Sequence, residues 1–408
     1  MGFSRDSNWI CQFPISLAVE GKSCYEEMAR AGVGQLLFCS MIYSPYRFLL
    51  PRYPTKGIYS MEEGRYHYLP QQERYRDLPV TPTPSGDWGD RDLLAEVVQG
   101  ARAAGIRPGA WVTMFANGLI AKTHTPWAVK NLYQSADRLF LCFNNPEVRE
   151  YSLRVCTEVA ERYDVSEIML DKIPQLCLEV DSFGSTRIDP IMRTLGSICY
   201  CPSCVATAKK HGLDLEACRE KSLALAAKCL AIPPHVITAQ RDDLNGDTEI
   251  PLLLLDEPWI MEMLQFRIEC IRTFFRELRQ RLDAVRRGIV LSAAFIPPVK
   301  IGHDSMQPRP WLAAQSYAAY KDHIDLLHCV VHWGPDAVFY NTRRAVDAVN
   351  GGRAKIATHI RCYGESRPEN LASLVDAVEG GGATGVGYFC YDLMSHQMLD
   401  AAAGLRSH

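Results

Sequence analysis

A helix followed by a short apolar run, near the middle of the chain, most constrains the fold that the sequence can adopt. The helix begins at Asn144-Asn145-Pro146, because Asn caps helices and Pro loses no hydrogen bond in a first turn. One face of this helix is apolar, since apolar side chains recur at three- and four-residue spacing: Val148, Tyr151, Val155 and Val159. The run Ile-Met-Leu at 168–170 is short and uninterrupted, which is typical of a strand covered on both faces. Asp171 follows directly, and because an unpaired carboxylate is not buried in such a core, the strand ends there.

The same alternation of short apolar runs and helices recurs along the whole chain. Seven further runs are predicted to be strands: residues 9–13, 35–42, 107–115, 289–295, 325–332, 355–361 and 385–391. Eight short apolar strands with helices between them predict an α/β fold, a (β/α)8 TIM barrel. The alternative is an open doubly wound sheet, but no glycine-rich phosphate turn follows the first strand.

Two segments interrupt this alternation. We interpret residues 1–408 as a single barrel domain, with residues 174–250 as an insertion after strand four that carries a cysteine cluster. Residues 43–89 form a long loop that is rich in Pro, Tyr and Arg, and loops of that length are usually functional. We expect its first part, residues 43–68, to fold over the open end of the barrel and to restrict the site to one or two sugar units.

Composition excludes several classes of partner. The net charge is −3, which gives no reason to expect nucleic acid or an anionic membrane surface as a partner. No apolar run is long enough to span a membrane, and the first residues lack the apolar core of a secretion signal. The 15 cysteines are odd in number and scattered, which predicts reduced thiols and a cytoplasmic protein. We expect no organic cofactor, and a homo-oligomer is left open.

The active site of a TIM barrel lies where its strands end, which identifies candidate site residues. Those near strand ends combine carboxylates, imidazole, guanidinium and flat aromatic rings: Tyr43, Tyr46, Asn117, Asp171, His332, Trp333, Arg361, Tyr363, Glu365, Tyr391 and Asp392. Two loop residues, Arg52 and His124, complete the set. Aromatic faces stack on sugar C–H groups and charged groups bind hydroxyls, so this set predicts a small carbohydrate substrate. His359 and Trp111 lie inside strands and are expected in the core.

Glycoside hydrolysis requires two carboxyl groups that flank one bond. Asp171 and Glu365 follow strands four and seven, which lie across the barrel from each other, so they are the predicted catalytic pair. In one version Asp171 is the acid/base and Glu365 the nucleophile; in another, Asp171 attacks and Asp336 or Glu365 donates the proton. A sugar isomerase, epimerase or lyase that uses His332 and Asp392 for proton transfer is the second hypothesis. A sugar-binding barrel without catalysis is the third.

The motif Cys199-Tyr-Cys201-Pro-Ser-Cys204 is the sharpest local signal in the sequence. Three thiolates this close together can bind one tetrahedral Zn²⁺, and a closed structural site needs a fourth ligand. In a chain without a secretion signal, the spacing favours a metal over a disulfide. The alternative is three ordinary thiols near a turn.

The run LCFNNPEVREYSLRVCTEVAERYDVSEIMLD, followed by CYCPSC, resembles a group of uncharacterised glycoside-hydrolase-like barrel proteins. It is more distantly similar to the beta-galactosidases of glycoside hydrolase family 42, over residues 122–204. The resemblance implies a structural zinc held by Cys142, Cys199, Cys201 and Cys204. The family has Asn-Glu at the end of strand four, with Glu as the acid/base, where this chain has Leu170-Asp171. Its nucleophile is a strand-seven Glu, and Glu365 lies nearest to that place.

Overall fold

The computed structural model describes residues 3–53, 58–173, 190–231, 246–298 and 310–405. Eight parallel strands form a closed barrel in which each strand pairs with its neighbours in chain order and the first pairs with the last. The strands are β1 Asn8–Gln12, β2 Gln35–Cys39, β3 Arg107–Thr113, β4 Glu167–Asp171, β5 Val290–Phe295, β6 Leu326–Val331, β7 Lys355–Arg361 and β8 Gly385–Phe389. The predicted (β/α)8 barrel is therefore confirmed.

Helices connect the strands and cover the outside of the barrel. They are α1 Pro14–Glu20, α2 Ser23–Arg30, α3 Leu93–Ala103, α4 Gly118–Thr123, α5 Pro146–Arg162, α6 Pro190–Gly196, α7 Pro202–Lys210, α8 Leu215–Leu230, α9 Gly246–Asp256, α10 Pro258–Val285, α11 Tyr317–Tyr320, α12 Pro335–Val349, α13 Leu371–Gly380 and α14 His396–Gly404. Helix α5 begins as predicted, with the Asn145 side chain accepting the N–H groups of Glu147 and Val148. None of the helices described combines the length and apolarity needed to cross a membrane.

Several strands end earlier than the sequence pattern predicts. The apolar run after β2 continues to Ile42, but Met41–Ile42 leaves the barrel and pairs antiparallel with Arg65–Tyr66. At the end of β8, Tyr391 belongs to a single 3-10 turn, Tyr391–Leu393, instead of the strand. In each case the run stays apolar because it is buried against other parts of the protein, so hydrophobicity alone does not mark the strand end.

The predicted insertion at residues 174–250 is described only in part, since residues 174–189 and 232–245 lie outside the described residues. Its described part is helical and contains α6, α7, α8 and the start of α9. The interpretation of the chain as one domain stays a prediction.

The long loop between β2 and α3 is fixed to the outside of α5. The buried Glu158 carboxylate accepts the Gln71 N–H at 2.6 Å and the Tyr75 hydroxyl at 2.7 Å. It also pairs with Arg162 on the same helix at 2.7 Å. Buried polar groups of a loop need such partners, and here one carboxylate satisfies two of them. The loop is therefore held by defined contacts.

Asp392 joins the end of the barrel to its beginning. Its carboxylate is fully buried and accepts the N–H groups of Phe13 (2.7 Å) and Ser16 (3.0 Å) and the Ser16 hydroxyl (2.6 Å). These donors lie at the start of α1, so a carboxylate from the turn after β8 caps the first helix. Burial raises the pKa of Asp392 to about 6, although the bonds from Ser16 and Phe13 act in the opposite direction.

A second buried group lies beside this cap. Arg52 donates to the carbonyl oxygens of Tyr391 and Met394, both at 2.7 Å, and pairs with Glu20. Its guanidinium lies 4.2 Å from the centre of the Tyr391 ring. The single hydrogen of the Tyr391 hydroxyl is shared between the carboxylates of Glu20 and Glu27, whose oxygens lie 2.5 and 2.8 Å away. Arg52, Tyr391 and Asp392, three predicted substrate-binding residues, thus make internal contacts that tie the loop after β2 to the turn after β8.

We expect Asp392→Asn to lower the free energy of unfolding by about 1–3 kcal/mol, because the amide nitrogen cannot accept and leaves one buried donor unpaired. Asp400→Asn on the exposed face of α14 is the matched control. Equilibrium urea unfolding of the three proteins measures the difference. Equal stability of Asp392→Asn and Asp400→Asn would contradict this role.

Candidate functional site

A cavity of about 560 Å³ opens at the C-terminal end of the barrel. Each of the eight strands contributes a lining residue at or near its C-terminal end: Cys11, Cys39, Thr113, Asp171, Phe295, Val330, His359 and Phe389. The loop after β2 adds Tyr43, Tyr46, Arg47 and Phe48. Four residues of the segment 43–68 thus lie at this end of the barrel, whereas its folding over the site and the restriction to one or two sugar units stay a prediction. The cavity occupies the place where barrels of this type hold their substrates.

One wall of the cavity is a continuous group of aromatic rings. The Phe13 ring centre lies 4.8 Å from that of Phe48 and 5.2 Å from that of Trp111. Trp111 in turn lies 5.9 Å from Phe389, whose ring is 6.2 Å from Tyr363. The wall is therefore apolar and made of rings tilted by 51–56° to one another, and ligand pockets combine such walls with a few polar groups.

Asp171 supplies the polar end of the cavity. Its carboxylate is half-buried, and its two oxygens accept the Trp111 indole N–H at 3.3 Å and the Lys172 backbone N–H at 2.7 Å. Lys172 adopts a left-handed backbone conformation, with φ of 56°, which is uncommon for a residue other than glycine. Its ammonium lies 4.9 Å from the centre of the Tyr43 ring, and the Tyr43 hydroxyl is hydrogen-bonded to that of Tyr46. Burial raises the pKa of Tyr46, so this phenol stays protonated.

The structure brings four of the predicted site residues together at the cavity: Tyr43, Tyr46, Asp171 and Tyr363. Two others lie directly behind the lining. Arg361 packs over the Tyr363 ring at 4.7 Å, and His332 stacks on Phe389 with ring centres 5.4 Å apart.

The remaining predicted residues lie elsewhere. Glu365 is exposed in the loop after β7 and does not line the cavity. Asn117 caps α4 by accepting the Ile120 N–H at 3.0 Å, and His124 packs edge-on against Trp127 at 5.3 Å. Trp333 is half-buried against the hydrophobic core. Arg52, Tyr391 and Asp392 form the buried contacts described above.

Sequence reasoning missed or misplaced several cavity residues, among them Trp111, Lys172 and His359. Trp111 and His359 are buried as expected, but they also line the cavity. Strand periodicity could have indicated Trp111, because it lies two residues before Thr113 and alternate residues of a strand face the same side. Among the cavity-lining residues that the structure describes, Asp171 is the only carboxylate.

No protein-family model matches the chain. An S-layer-related protein of Niallia circulans is 30% identical over 112 residues, which is 22% of this chain and 7% of that protein. Among solved structures, the PgaB (BpsB) glycoside hydrolase domain of Bordetella bronchiseptica aligns over 98% of both chains, with a TM-score of 0.60 and 12% identity. The fold is that of glycoside hydrolase barrels.

Larger glycoside hydrolases contain the same fold as part of a longer chain. The beta-galactosidase of the psychrophilic Marinomonas ef1 has a TM-score of 0.56 and 12% identity, with 98% of this chain and 58% of that chain covered. Alpha-L-fucosidase isoenzyme 2 of Paenibacillus thiaminolyticus has a TM-score of 0.52 and 13% identity, with 95% and 45% covered. This chain therefore spans about half the length of these two glycosidases.

A second candidate site on this barrel is the cysteine cluster. Cys142, Cys199, Cys201 and Cys204 are all buried, and their sulfur atoms lie within 4.8 Å of one another. Zn–S bonds of about 2.3 Å in a tetrahedron place the sulfur atoms about 3.8 Å apart, so the four thiols fit a structural zinc. None of the four lines the cavity described above.

The surroundings of the cluster suit thiolate ligands. The Lys130 backbone N–H and the Asn144 side-chain amide donate to the sulfur atoms of Cys199 and Cys204, both at 3.4 Å. Hydrogen bonds from the neighbouring thiols, that of Cys142 first, lower the pKa of Cys201. Donors to the ligand atoms fix the orientation of metal ligands. A zinc here would join the segment before α5 to the start of α7, outside the lining of the cavity.

We expect the purified protein to carry about one zinc per chain, and Cys201→Ser to lose the metal and lower the thermal midpoint, because metal binding stabilises the folded state. Cys218→Ser in α8 is the matched control, since Cys218 is buried outside the cluster. Elemental analysis and thermal unfolding test both effects. Wild-type protein without zinc, or equal behaviour of the two variants, would contradict the assignment.

Proposed function

We propose that this protein is a glycosidase that acts on a small glycoside or oligosaccharide, with Asp171 as the reacting carboxylate. One observation carries the proposal: the Asp171 carboxylate stands at the end of β4, inside an aromatic-walled cavity to which all eight strands contribute. The likeness to glycoside hydrolase structures supports it at the level of the fold.

The size and chemistry of the cavity suit one or two sugar units. Its volume of about 560 Å³ lies within the range of small-molecule sites. The aromatic wall can stack on the C–H face of a sugar ring. Asp171, Lys172 and the Tyr43–Tyr46 pair offer charges and hydroxyls to the polar edge of the same ring.

The contacts of Asp171 favour a role as nucleophile or base over a role as acid. Both carboxylate oxygens already accept hydrogen bonds, one from Trp111 and one from the Lys172 backbone. An arrangement of donors around both oxygens suits a group that gives an electron pair to the anomeric carbon or to a proton.

Proton transfer on a sugar, as in an isomerase or epimerase, is the second candidate function. The observation that favours it is the exposed position of Glu365, which leaves Asp171 without a second carboxylate among the described lining residues. The predicted proton-transfer residues His332 and Asp392 do not line the cavity, whereas His359 does. In this function His359, and not His332 and Asp392, would transfer the proton together with Asp171.

We expect Asp171→Asn to reduce turnover of an accepted aryl glycoside by about 10²–10⁴-fold, because the variant keeps the shape and removes the ionisable group. The thermal midpoint should change little, since the side chain is only half-buried. A panel of 4-nitrophenyl galactoside, fucoside and glucoside provides the assay, and Asp376→Asn, exposed on α13, is the matched control.

Two further variants separate the versions of this proposal. In Asp171→Ala, azide should restore turnover with a glycosyl azide product if Asp171 is the nucleophile. Loss of turnover in Glu365→Gln as large as in Asp171→Asn would show that Glu365 takes part in catalysis, contrary to its position outside the cavity.

Two results would contradict the proposal itself. Full activity of a folded Asp171→Asn protein would remove Asp171 from the mechanism. Sugar binding without turnover by the wild type would indicate a binding protein.

A further inference from the structure

The inside of the barrel below the cavity contains a chain of hydrogen-bonded polar side chains. Glu167 on β4 bonds to His328 on β6, with 2.7 Å between the Oε1 and Nε2 atoms. The Nδ1 atom of His328 lies 2.7 Å from Nε2 of His359 on β7. The Nδ1 atom of His359 lies 3.5 Å from the sulfur of Cys11 on β1, and both of these residues line the cavity. The chain therefore runs from a buried carboxylate to the cavity floor.

The direction of these hydrogen bonds follows from the carboxylate. Glu167 also accepts the Trp9 indole N–H at 3.0 Å and the Ser292 hydroxyl. Burial alone would raise the pKa of Glu167, but His328, Ser292 and Trp9 outweigh it and lower the pKa. An ionised carboxylate can only accept, so Nε2 of His328 carries the proton.

The contact between Nδ1 of His328 and Nε2 of His359 holds one proton. A relay requires the arrangement in which the Nε2–H of His359 donates and Nδ1 of His328 accepts. Nδ1 of His359 is then left with a lone pair next to Cys11. Burial, and then the Asp171 and Glu167 charges, raise the pKa of the Cys11 thiol, so this thiol keeps its proton.

We propose that His359 is the proton-accepting residue of the cavity and that Glu167, acting through His328, is the positioning residue that makes it a base. At rest the Cys11 S–H is the donor of the weak hydrogen bond to Nδ1 of His359. In the step, a hydroxyl group in the cavity, either of the bound sugar or of an attacking water, replaces this thiol as the donor and gives its proton to Nδ1. The O–H electron pair stays on that oxygen. The Nε2 proton of His359 passes to Nδ1 of His328, and the resulting imidazolium of His328 is paired with the Glu167 carboxylate.

Two further observations indicate that the Glu167–His328–His359 network has a function beyond stability. A Cβ atom at Gly387 on β8 would lie 2.4 Å from the His359 ring, so glycine at this position makes room for the imidazole. The rest of the barrel interior is largely apolar, with Leu37, Met169 and Ala357 among its residues. A well-packed apolar filling is usually at least as stable as a buried ionic network, so stability alone does not account for this one.

Within the described parts of the chain, few other titratable groups face the two histidines. Glu167 and Cys11 contact them from β4 and β1, and β8 presents Gly387. His332, at the end of β6, contributes a third imidazole: burial, and then His328 and His332, lower the pKa of His359. His359 is therefore neutral near pH 7, as a base must be. Asp171 lines the same cavity.

The first test needs no substrate and no variant. Long-range ¹H–¹⁵N spectra of protein with ¹⁵N-labelled histidine should show His359 as the Nε2–H tautomer at pH 7, with the peak assigned by its loss in His359→Asn. A His359 that carries its proton on Nδ1 would overturn the proposal. The tautomer does not depend on whether the protein is a glycosidase. The inference rests on the proposed function only in assuming that the ligand in the cavity carries a hydroxyl group.

The second test uses turnover of an aryl glycoside by the wild type. Because the negative charge of Glu167 stabilises the protonated pair, Glu167→Gln should move the acidic limb of kcat/KM to lower pH by about 1–3 units and reduce its plateau. His359→Asn should lower kcat/KM by about 10²–10⁴-fold. His396→Gln, exposed on α14, is the control.

A Glu167→Gln protein that loses only thermal stability, with the pH profile of the wild type, would show a purely structural network and overturn the proposal. If Glu167→Gln does not fold, the tautomer of the wild type decides. Failure of the proposed function would give a different result. Either Asp171→Asn would keep its activity, or the wild type would turn over no glycoside. The tautomer of His359 can be measured in both cases.

Discussion

The pairing of β1 with β8 is the interaction on which the rest of this structure depends. Asn8, Trp9 and Ile10 are in register with Val386, Gly387 and Tyr388, and this ladder closes the sheet. Closure leaves no free edge and creates an interior that side chains must fill. Inside it, polar groups have little access to water, so each needs a protein partner. Closure of the barrel therefore has two results. The Glu167 carboxylate has three hydrogen-bond donors inside the barrel, and a cavity opens above it.

Much of the fold could be predicted because its determinants are local. The apolar run before Asp171 and the Asn145-Pro146 start of α5 each depend on a few neighbouring residues. The cysteine cluster needed more: the spacing of Cys199, Cys201 and Cys204 was visible, whereas Cys142 was added by resemblance alone. The strand ends were less predictable, since Met41 and Ile42 stay buried after they leave the barrel.

The candidate site was predicted less well for a physical reason. Asp392 and Tyr391 follow β8 directly, as a site residue would, but the chain turns there and Asp392 bonds to Phe13 and Ser16. Contacts between residues so far apart in sequence leave no local pattern. Glu365 was placed by its distance from strand seven, and the loop that carries it turns the side chain to solvent. His359 shows the opposite case, because burial and access to the cavity are compatible at the upper end of a barrel strand.

The attachment of the long loop to α5 has a consequence for how new specificities could arise. The returning half of the loop is held from outside the barrel, through Glu158 and through the Tyr66 hydroxyl, which lies 3.0 Å from that of Tyr151. The outgoing half, which carries Tyr43 to Phe48, starts from a two-residue pairing with the held half. Residues 43–48 can therefore be exchanged for segments of other length or shape while both attachment points, and the buried contacts of Arg52, stay in place. The outer helices would hold the loop in place while its cavity-lining residues change, so a change of preferred ligand need not disturb the packing of the barrel.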